Sequence, residues 1–387
     1  MSTLRVAHDI YTVGWICALP LEAAAARALL DKDHPRLPQP TGDDNIYSLG
    51  EISGQNVVIA CLPSGVYGTT SAATVAARMR FTFPSIRYNL MVGIGGGVPS
   101  LNHDIRLGDI VISHPTTKYG GVIQYDHGKT VSRGHLQQTG IMNQPPPVLL
   151  NAISQLRANE MMGCSPSIHD MVSEVLTNQV GMRSQYARPS ADRDLLFKAA
   201  YDHNPAQNTT CVECDRDELI KRDPRASVEP HIYYGLIASG NQVMKHGLTR
   251  DKLANEFGIM CFEMEAAGLM NQFPCLVIRG ICDYSDSHKN KQWSGYAALT
   301  AAAYTKVLLS AVPVTEPPYS TMIPSQSPLE LLGTALSDPE DLHLCQVSRS
   351  AEVSIVQSER ETETQSKVPR VSETQTTSGR KRERTSV

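Results

Sequence analysis

Between residues 12 and 311 the chain alternates short apolar runs with Ala-rich helical patterns, and this alternation limits its fold more than any other feature. The apolar runs predict strands at 11–18, 47–52, 56–61, 88–92, 109–113, 231–238, 260–262 and 275–281. Helical patterns occupy 22–30, 69–80, 249–257, 264–271 and 293–309, with a shorter patch at 148–159. Several strands are unbroken apolar runs, as expected of strands buried on both faces. The pattern predicts an α/β domain around a largely parallel or mixed central sheet.

The C-terminal part has a different composition. Residues 313–387 contain no Trp, no Phe and a single Tyr, and beyond residue 348 the segment is dense in Ser, Thr, Glu and Gln. Such a segment buries too little apolar surface to offset its chain entropy. We therefore expect a folded domain at 1–312, with a less regular insertion or lid at about 116–230, and a disordered tail at 313–387.

Composition also limits the partners. The 35 Lys and Arg against 39 Asp and Glu give a net charge of -4, which predicts no nucleic-acid partner. No run reaches the roughly 18 to 20 apolar residues of a spanning helix, so no membrane partner is expected. The nine cysteines, four of them inside apolar runs, favour a reducing intracellular, cytoplasmic location. A basic cluster at 380–384 leaves nuclear import open, although such clusters in solvated tails are more often without function.

Four motifs follow the carboxyl ends of apolar runs, which is where open α/β sheets bind ligands. In TVGWICALPLE, Glu22 opens an Ala-rich helix, either as a base or as a first-turn carboxylate favoured by the helix dipole. In LMVGIGGGVP, the N–H groups of Gly95, Gly96 and Gly97 can approach a ligand, or the glycines form an ordinary turn.

The other two motifs carry acids. In IMCFEMEAAGLM, Glu263 and Glu265 flank Met264. A carboxylate can accept both hydrogen bonds of a vicinal diol, although carboxylates at helix starts are common. In FPCLVIRGICDYSD, Asp283 ends the last strand, four residues after Arg279. It is either a proton donor to a leaving group or a capping or loop Asp.

Seven segments resemble, in order across residues 14–290, the purine and uridine phosphorylase superfamily. They read GWICALPLE, LPSGVYGTTSAATVA, MVGIGGGVPS, LGDIVIS, GLIASGNQ, CFEMEAAG and VIRGICDYSDSHKN. The pattern is most similar to nucleosidase-like domains of filamentous fungi, often at the front of immune-type nucleotide-binding receptors. The resemblance implies a three-layer α/β/α fold with a mixed, partly barrel-like central sheet. It also implies a homo-oligomer, a dimer or larger, that binds a small purine nucleoside or nucleotide and needs no cofactor.

The resemblance also implies roles for individual residues. Methylthioadenosine/S-adenosylhomocysteine nucleosidases of this superfamily protonate the purine with an Asp at the position of Asp283. They bind the ribose hydroxyls with a Glu matching Glu265, keep a Met like Met264 against the sugar, and activate water with a Glu matching Glu22. Further candidate substrate contacts in the matching motifs are Ser64, Gly65, Gly95, Gly96, Gly97, Asn241, Gln242, Glu263 and Ser285.

Departures from the family pattern favour hydrolysis over phosphorolysis. Related phosphorylases bind phosphate through an Arg in a G-D-P-x-R turn and through an Arg and a Ser around an R-V-G-S loop. Here the first turn reads ALPLE and ends on Glu22, and Met91 and Ile94 occupy the matching loop positions. A carboxylate repels inorganic phosphate, and neither an Arg nor a hydroxyl is present to bind it.

The substrate is less closely defined by the sequence. Val243 follows SGNQ where the methylthioadenosine enzymes have an aromatic residue, so base stacking is arranged differently. Basic residues near the motifs suit a 5′-phosphorylated adenine nucleoside such as ATP, although solvated cations are equally expected. These candidate phosphate contacts are Lys245, His246, Arg250, Lys289 and Lys291. The hypothesis is a purine N-ribosyl hydrolase; the alternatives are a phosphate-dependent purine nucleoside phosphorylase and a nucleotide-sensing signalling module without turnover.

One constellation stands apart from these motifs. Cys211 and Cys214 form a CxxC, and His203 precedes it by eight residues. This is only part of a zinc site, and Cys164 is a possible fourth ligand. Exposed loop thiols explain the pattern better, so we expect no metal.

Overall fold

The computed structural model describes residues 7–132, 136–204, 206 and 210–314. The strands are β1 (Val13–Cys17), β2 (Lys32–His34), β3 (Tyr47–Ile52), β4 (Gln55–Cys61), β5 (Tyr88–Gly97), β6 (Ile110–Ser113), β7 (Val122–Gln124), β8 (Gly128–Thr130), β9 (Leu136–Gln138), β10 (Ile232–Ser239), β11 (Ile259–Glu263) and β12 (Leu276–Asp283). The helices are α1 (Pro20–Ala28), α2 (Thr69–Thr82), α3 (Pro147–Met161), α4 (Ile168–Asn178), α5 (Arg183–Tyr186), α6 (Gly247–Phe257) and α7 (Ser294–Ser310).

The main sheet is mixed and partly closed. Its strand order is β11-β10-β6-β12-β5-β1-β4-β3-β2, and β5 also pairs with β11. That extra pairing closes β11, β10, β6, β12 and β5 into a five-stranded barrel. The β12–β5 and β10–β6 pairs are parallel, whereas β12–β6 and β11–β5 are antiparallel. The expected α/β fold with a mixed, partly barrel-like sheet is confirmed.

The glycines of β5 allow this closure. Gly96 and Gly97 pair with β11, while Gly96 and the residues before it pair with β12. A Cβ on Gly95 would overlap the thiol of Cys261 on β11. Because glycine has no side chain, β11 can approach β5 this closely. The sequence predicted that this strand ends at residue 92, five residues too early.

Helix α7 anchors the helical layer. It is buried along almost its whole length and packs against β12 and β5, while α1, α4 and α5 pack against α7. A helix that is apolar on all sides is expected in such a central position. Helix α2 packs against β1 and β4. Among the described residues, no helix combines the length and apolarity needed to cross a membrane.

Two of the expectations need correction. The helix predicted at 264–271 is wrong, because the chain forms only a single 3₁₀ turn at Ala266–Gly268. A Cβ on Gly268 would overlap the backbone of Thr69, which shows how closely this turn lies against the start of α2. The region 116–230 is more than an insertion or lid. Its strand β7 pairs with β10, and α3 and α4 contribute Leu149 and Val172 to the main core.

The tail predicted from residue 313 onward lies outside the described residues, apart from its first two. Helix α7 ends at Ser310, just before the expected domain boundary.

Candidate active site

Glu22 lies buried at the start of α1 and contacts the residues that follow β1 and the strand β5. Its Oε2 accepts hydrogen bonds from the backbone N–H groups of Ala18 (2.7 Å) and Leu19 (2.9 Å), and its Oε1 accepts one from Ile94 (2.8 Å). A methyl group on Gly93 would overlap this carboxylate. Burial raises the pKa of Glu22, while Arg279 and the three backbone donors oppose the rise. Oε1 keeps one free acceptor position, which is what a carboxylate needs to bind and deprotonate water.

Arg279 joins the carboxylates of Glu263 and Glu265, the two residues that flank Met264. Its side chain is only 1% exposed, and its Nη2 forms ion pairs with Glu263 and, at 3.4 Å, with Glu265. Its Nη1 donates to the carbonyl of Ile94 (3.2 Å). The glutamate nearer the strand, Glu263, also accepts from the N–H groups of the following turn. Glu263 is thus fully engaged in structure, whereas Glu265 retains free acceptor capacity.

Glu265 has a raised pKa, so that its charge changes near neutral pH. Burial raises its pKa to about 7 against the opposing charge of Arg279, and Glu263 and Glu22 add to the rise. Its Oε1 accepts one long hydrogen bond, from the N–H of Gly68 (3.4 Å). Three buried carboxylates therefore surround one guanidinium, so the cluster is net negative when all of them are ionised.

Asp283 ends β12 and is also buried. Its Oδ1 accepts from the N–H of Ser285 (2.9 Å), and its Oδ2 is 2.8 Å from Nζ of Lys289. Against the effect of burial, Asp283 raises the pKa of Lys289. Ser285 has a φ of +55°, the left-handed conformation that turns the chain back toward Asp283. A Cβ on Gly96 would overlap both Ser285 and Asp283, so this glycine is required for the turn to pack here.

Strand β5 links the two acidic groups. Glu22 meets the strand at Gly93 and Ile94, and Asp283 is paired with Gly96 in the register of β12 and β5. These positions are two or three residues apart, or about 7 to 10 Å at the rise of a β-strand. Glu22 and Asp283 therefore both lie against β5, at different points along the strand.

The flanking loops of the site brace one another. Asn241 accepts hydrogen bonds from the N–H and hydroxyl of Thr69 through its Oδ1, and its own N–H donates to Asp126. Gln242 is exposed, and its carbonyl accepts from the hydroxyl of Tyr125.

The remaining candidate contacts are placed as follows. Ser64 and Gly65 lie in the exposed loop before α2, while Met264 is half-buried between the two glutamates. Gly97 packs against Ile281 of β12.

Two of the candidate phosphate contacts are already engaged. Arg250 is buried, donates to the carbonyl of Tyr284 (2.7 Å) and pairs with Asp251 and Asp286. Lys289 pairs with the proposed acid. Both cations therefore stabilise the loop after β12 in this structure.

The other three candidates are exposed. His246 caps α6, because its ring accepts from the N–H of Thr249. Within the described ranges, Lys245 and Lys291 form no ion pair with an acidic side chain. These two lysines are thus the candidates whose charge is available to a ligand.

Sequence reasoning missed three contributors to the site. Arg279 was noted only for its spacing, yet it is the cation around which the carboxylates gather. Gly68 was not singled out, although its N–H reaches Glu265. Lys289 was assigned to phosphate rather than to Asp283. Of these three, only Arg279 could have been identified from the sequence. It lies in an apolar run typical of a buried strand, and an Arg is almost never fully buried without a carboxylate partner.

Comparisons with known proteins agree with this architecture. The family model of the phosphorylase superfamily matches residues 12–310. A nucleotide-binding leucine-rich repeat (NLR)-like protein of Hyaloscypha variabilis is 47% identical over 310 residues, which cover 79% of this chain. This chain spans only 30% of that relative's length.

Two further similar proteins are bacterial. A 5′-methylthioadenosine/S-adenosylhomocysteine nucleosidase of Mycobacterium bovis is 26% identical over 312 residues, covering 78% of this chain and 97% of the relative. The solved structure of futalosine hydrolase from Helicobacter pylori aligns with 78% of this chain and 98% of its own, at 16% identity and a TM-score of 0.47. The family match covers more than half of the chain, so the chain belongs to the phosphorylase superfamily.

Proposed function

We propose that this chain hydrolyses the N-glycosidic bond of a purine nucleoside or nucleotide and releases the free base. The observation that carries the proposal is the pair of buried carboxylates, Glu22 and Asp283, held at different points along β5 with Glu265 beside them. Cleavage of an N-ribosidic bond passes through an oxocarbenium-like state that needs a proton donor on one side and a nucleophile on the other. Similarity to a bacterial nucleosidase supports the same reaction class.

Glu22 is the proposed base. Its raised pKa strengthens it as a proton acceptor, and its two oxygens are oriented by three backbone donors. A water held by the free position on Oε1 would lose a proton to Glu22 as it attacks the anomeric carbon.

Asp283 is the proposed route for the proton to the leaving base. Lys289 lies 2.8 Å from Oδ2 and holds the side chain of Asp283 in place at the end of β12. The base leaves as a neutral purine only if it gains this proton as the bond breaks.

Glu265 is the proposed ribose contact. Its Oε1 carries one long hydrogen bond and its Oε2 one long ion pair, which leaves acceptor capacity for the two hydroxyls of a ribose. Met264 lies next to it and would pack against the sugar.

Water is favoured over phosphate as the nucleophile. The guanidinium of Arg279 is buried and its charge is paired with Glu263 and Glu265, which makes it a poor site for an anion even though its Nε has no hydrogen-bond partner among the described residues. The negative cluster repels phosphate and stabilises the positive charge that develops on the ribose.

The proposed substrate is an adenine nucleotide, with ATP as the specific candidate. Lys245 and Lys291 are exposed and follow two of the motifs that hold the site. Charge-assisted bonds from two lysines suit a 5′-phosphate chain better than an uncharged 5′-substituent.

The test compares substrates and variants. The purified chain is incubated with ATP, AMP, adenosine, inosine and methylthioadenosine in phosphate-free buffer, and free base is followed by chromatography. We expect base release by the wild-type chain and none by Asp283→Asn. The matched control is Asp286→Asn in the same loop, because that buried carboxylate faces Arg250 instead of β5. Replacing Lys245 and Lys291 by Ala should raise KM for ATP and leave KM for adenosine unchanged.

Other outcomes select the alternatives. Base release that requires added phosphate would make the chain a phosphorylase and remove Glu22 from the role of base. If no base forms but ATP raises the melting temperature, the nucleotide-sensing module is the better account.

A further inference from the structure

Three metal-ligating side chains converge in the segment between residues 196 and 220. The nearest ligand atoms of His203, Cys211 and Cys214, which we call the Cys/His cluster, all lie within 4.8 Å of one another. Nδ1 of His203 is 3.2 Å from Sγ of Cys214 and 4.0 Å from Sγ of Cys211. In a tetrahedral zinc site with bonds of about 2.3 Å to sulfur and 2.0 Å to nitrogen, the N–S separation is about 3.5 Å. The observed separations lie on either side of this value.

His288 lies beside the cluster with an unsatisfied ring. It is 6% exposed, and within the described part of the chain neither of its ring nitrogens has a hydrogen-bond partner. Its ring centroid is 5.6 Å from that of His203, and its carbonyl accepts from the thiol of Cys211. Two buried nitrogens without partners cost free energy that a bond to a metal would offset in part.

We propose that the Cys/His cluster binds one zinc ion, with His288 as the fourth ligand. The set of two thiolates and two imidazoles is one that zinc prefers, and it leaves no position open for a substrate. The ring of His288 lies outside the 4.8 Å group, so it moves toward the other ligands when the ion binds. Cys164, the fourth ligand considered from the sequence, is exposed and does not belong to this group.

The proposed ion would connect two parts of the chain. Cys211 and Cys214 pack with Phe197 in a small apolar cluster of their own. The N–H of His203 donates to the hydroxyl of Ser287 (2.9 Å), which lies next to His288 in the loop after β12. The zinc ion thus fastens this segment to the loop that carries Asp283. The site rests on the Cys/His cluster and His288 and is independent of the proposed reaction.

The first test is metal content. The full chain is purified from zinc-supplemented cells, dialysed and analysed by mass spectrometry of its metals. We expect about one zinc ion per chain, none after Cys211→Ser or Cys214→Ser, and an unchanged content in the matched control Cys164→Ser. In competition with a chelator, His288→Ala should bind zinc at least about tenfold more weakly. An unchanged affinity would overturn the assignment of His288, and a wild-type chain without zinc would overturn the site.

The second test needs no variant and so does not depend on their folding. The wild-type chain is stripped of metal and reconstituted with Co²⁺, which reports sulfur ligation and tetrahedral geometry through its absorption spectrum. Charge-transfer bands from sulfur and strong visible bands are expected. Their absence, or a Cys211–Cys214 disulfide in the freshly purified chain, would refute the proposal.

Discussion

Replacing Arg279 by Met should destabilise the chain strongly, and more so as the pH rises. Met has a similar volume and no charge, so the change leaves Glu263, Glu265 and Glu22 without their cation. Arg279 is 1% exposed and forms two ion pairs within the cluster. Removing one partner of a buried ion pair costs about 3 to 5 kcal/mol, because the remaining charge is left unpaired.

The pH dependence of the variant's stability follows from the number of protons that its folded and unfolded states bind. Burial already raises the pKa of Glu22 and Glu265 in the folded chain, and removing Arg279, which opposes the rise, raises both further. The folded state then binds more protons, so stability falls as pH increases. The slope is about 1.4 kcal/mol per pH unit for each carboxylate kept protonated. The loss should therefore be larger at pH 8 than at pH 6.

Urea unfolding followed by tryptophan fluorescence measures this effect. Both tryptophans, Trp15 and Trp293, are buried in the folded chain, so their fluorescence changes when the chain unfolds. The matched control is Arg78→Met, which breaks the exposed pair with Asp44 and should cost less than about 1 kcal/mol at either pH. A loss below 1 kcal/mol for Arg279→Met, or a loss of equal size at pH 6 and pH 8, would refute the reasoning.

Three further predictions concern activity. Burial raises the pKa of Glu265 to about 7, and the ribose contact requires its ionised form. We therefore expect kcat/KM to rise about tenfold per pH unit below pH 7 and then level off. A profile that is flat from pH 5 to pH 8 would contradict the role of Glu265. Gly93→Ala should lower kcat about 100-fold by displacing the carboxylate of Glu22, whereas Gly181→Ala, which has open space around it, should have no effect in the same assay. Adding inorganic phosphate should leave the initial rate of base release unchanged and yield no ribose 1-phosphate, which chromatography of the sugar product would detect.

The alternation of apolar and helical segments was enough to predict the fold class, because buried parallel strands and their connecting helices leave strong local patterns. The 3₁₀ turn after β11 could not be predicted from such patterns. Residues 264–271 have a helical composition, and their conformation depends on Gly268 lying against Thr69, nearly 200 positions earlier in the chain. The same limit applied to β5, whose last residues pair with a strand from the far end of the domain.

The acidic residues of the site were identifiable from the sequence because each follows a strand within its own motif. The charged groups around each acidic residue were not identifiable in this way, because they come from other motifs. Arg279 lies on β12, and its carboxylate partners lie on α1, at the last residue of β11 and just after it, so no local window contains the cluster. Lys289 likewise has the sequence context of a surface cation, and only the turn at Ser285 brings it into contact with Asp283.

The charge distribution of the site connects its stability to its proposed chemistry. Three buried carboxylates around one arginine are costly to the folded chain, and the raised pKa values of Glu22 and Glu265 reflect that cost. An oxocarbenium-like ribose would be the cation that the cluster lacks, so the carboxylates bind the transition state more tightly than the neutral sugar of the ground state. The same excess of negative charge would keep the phosphates of a nucleotide away from the cluster and direct them toward exposed lysines. Neutralising Glu265 by substitution should therefore lower kcat for every substrate, while the lysines affect KM for phosphorylated substrates alone.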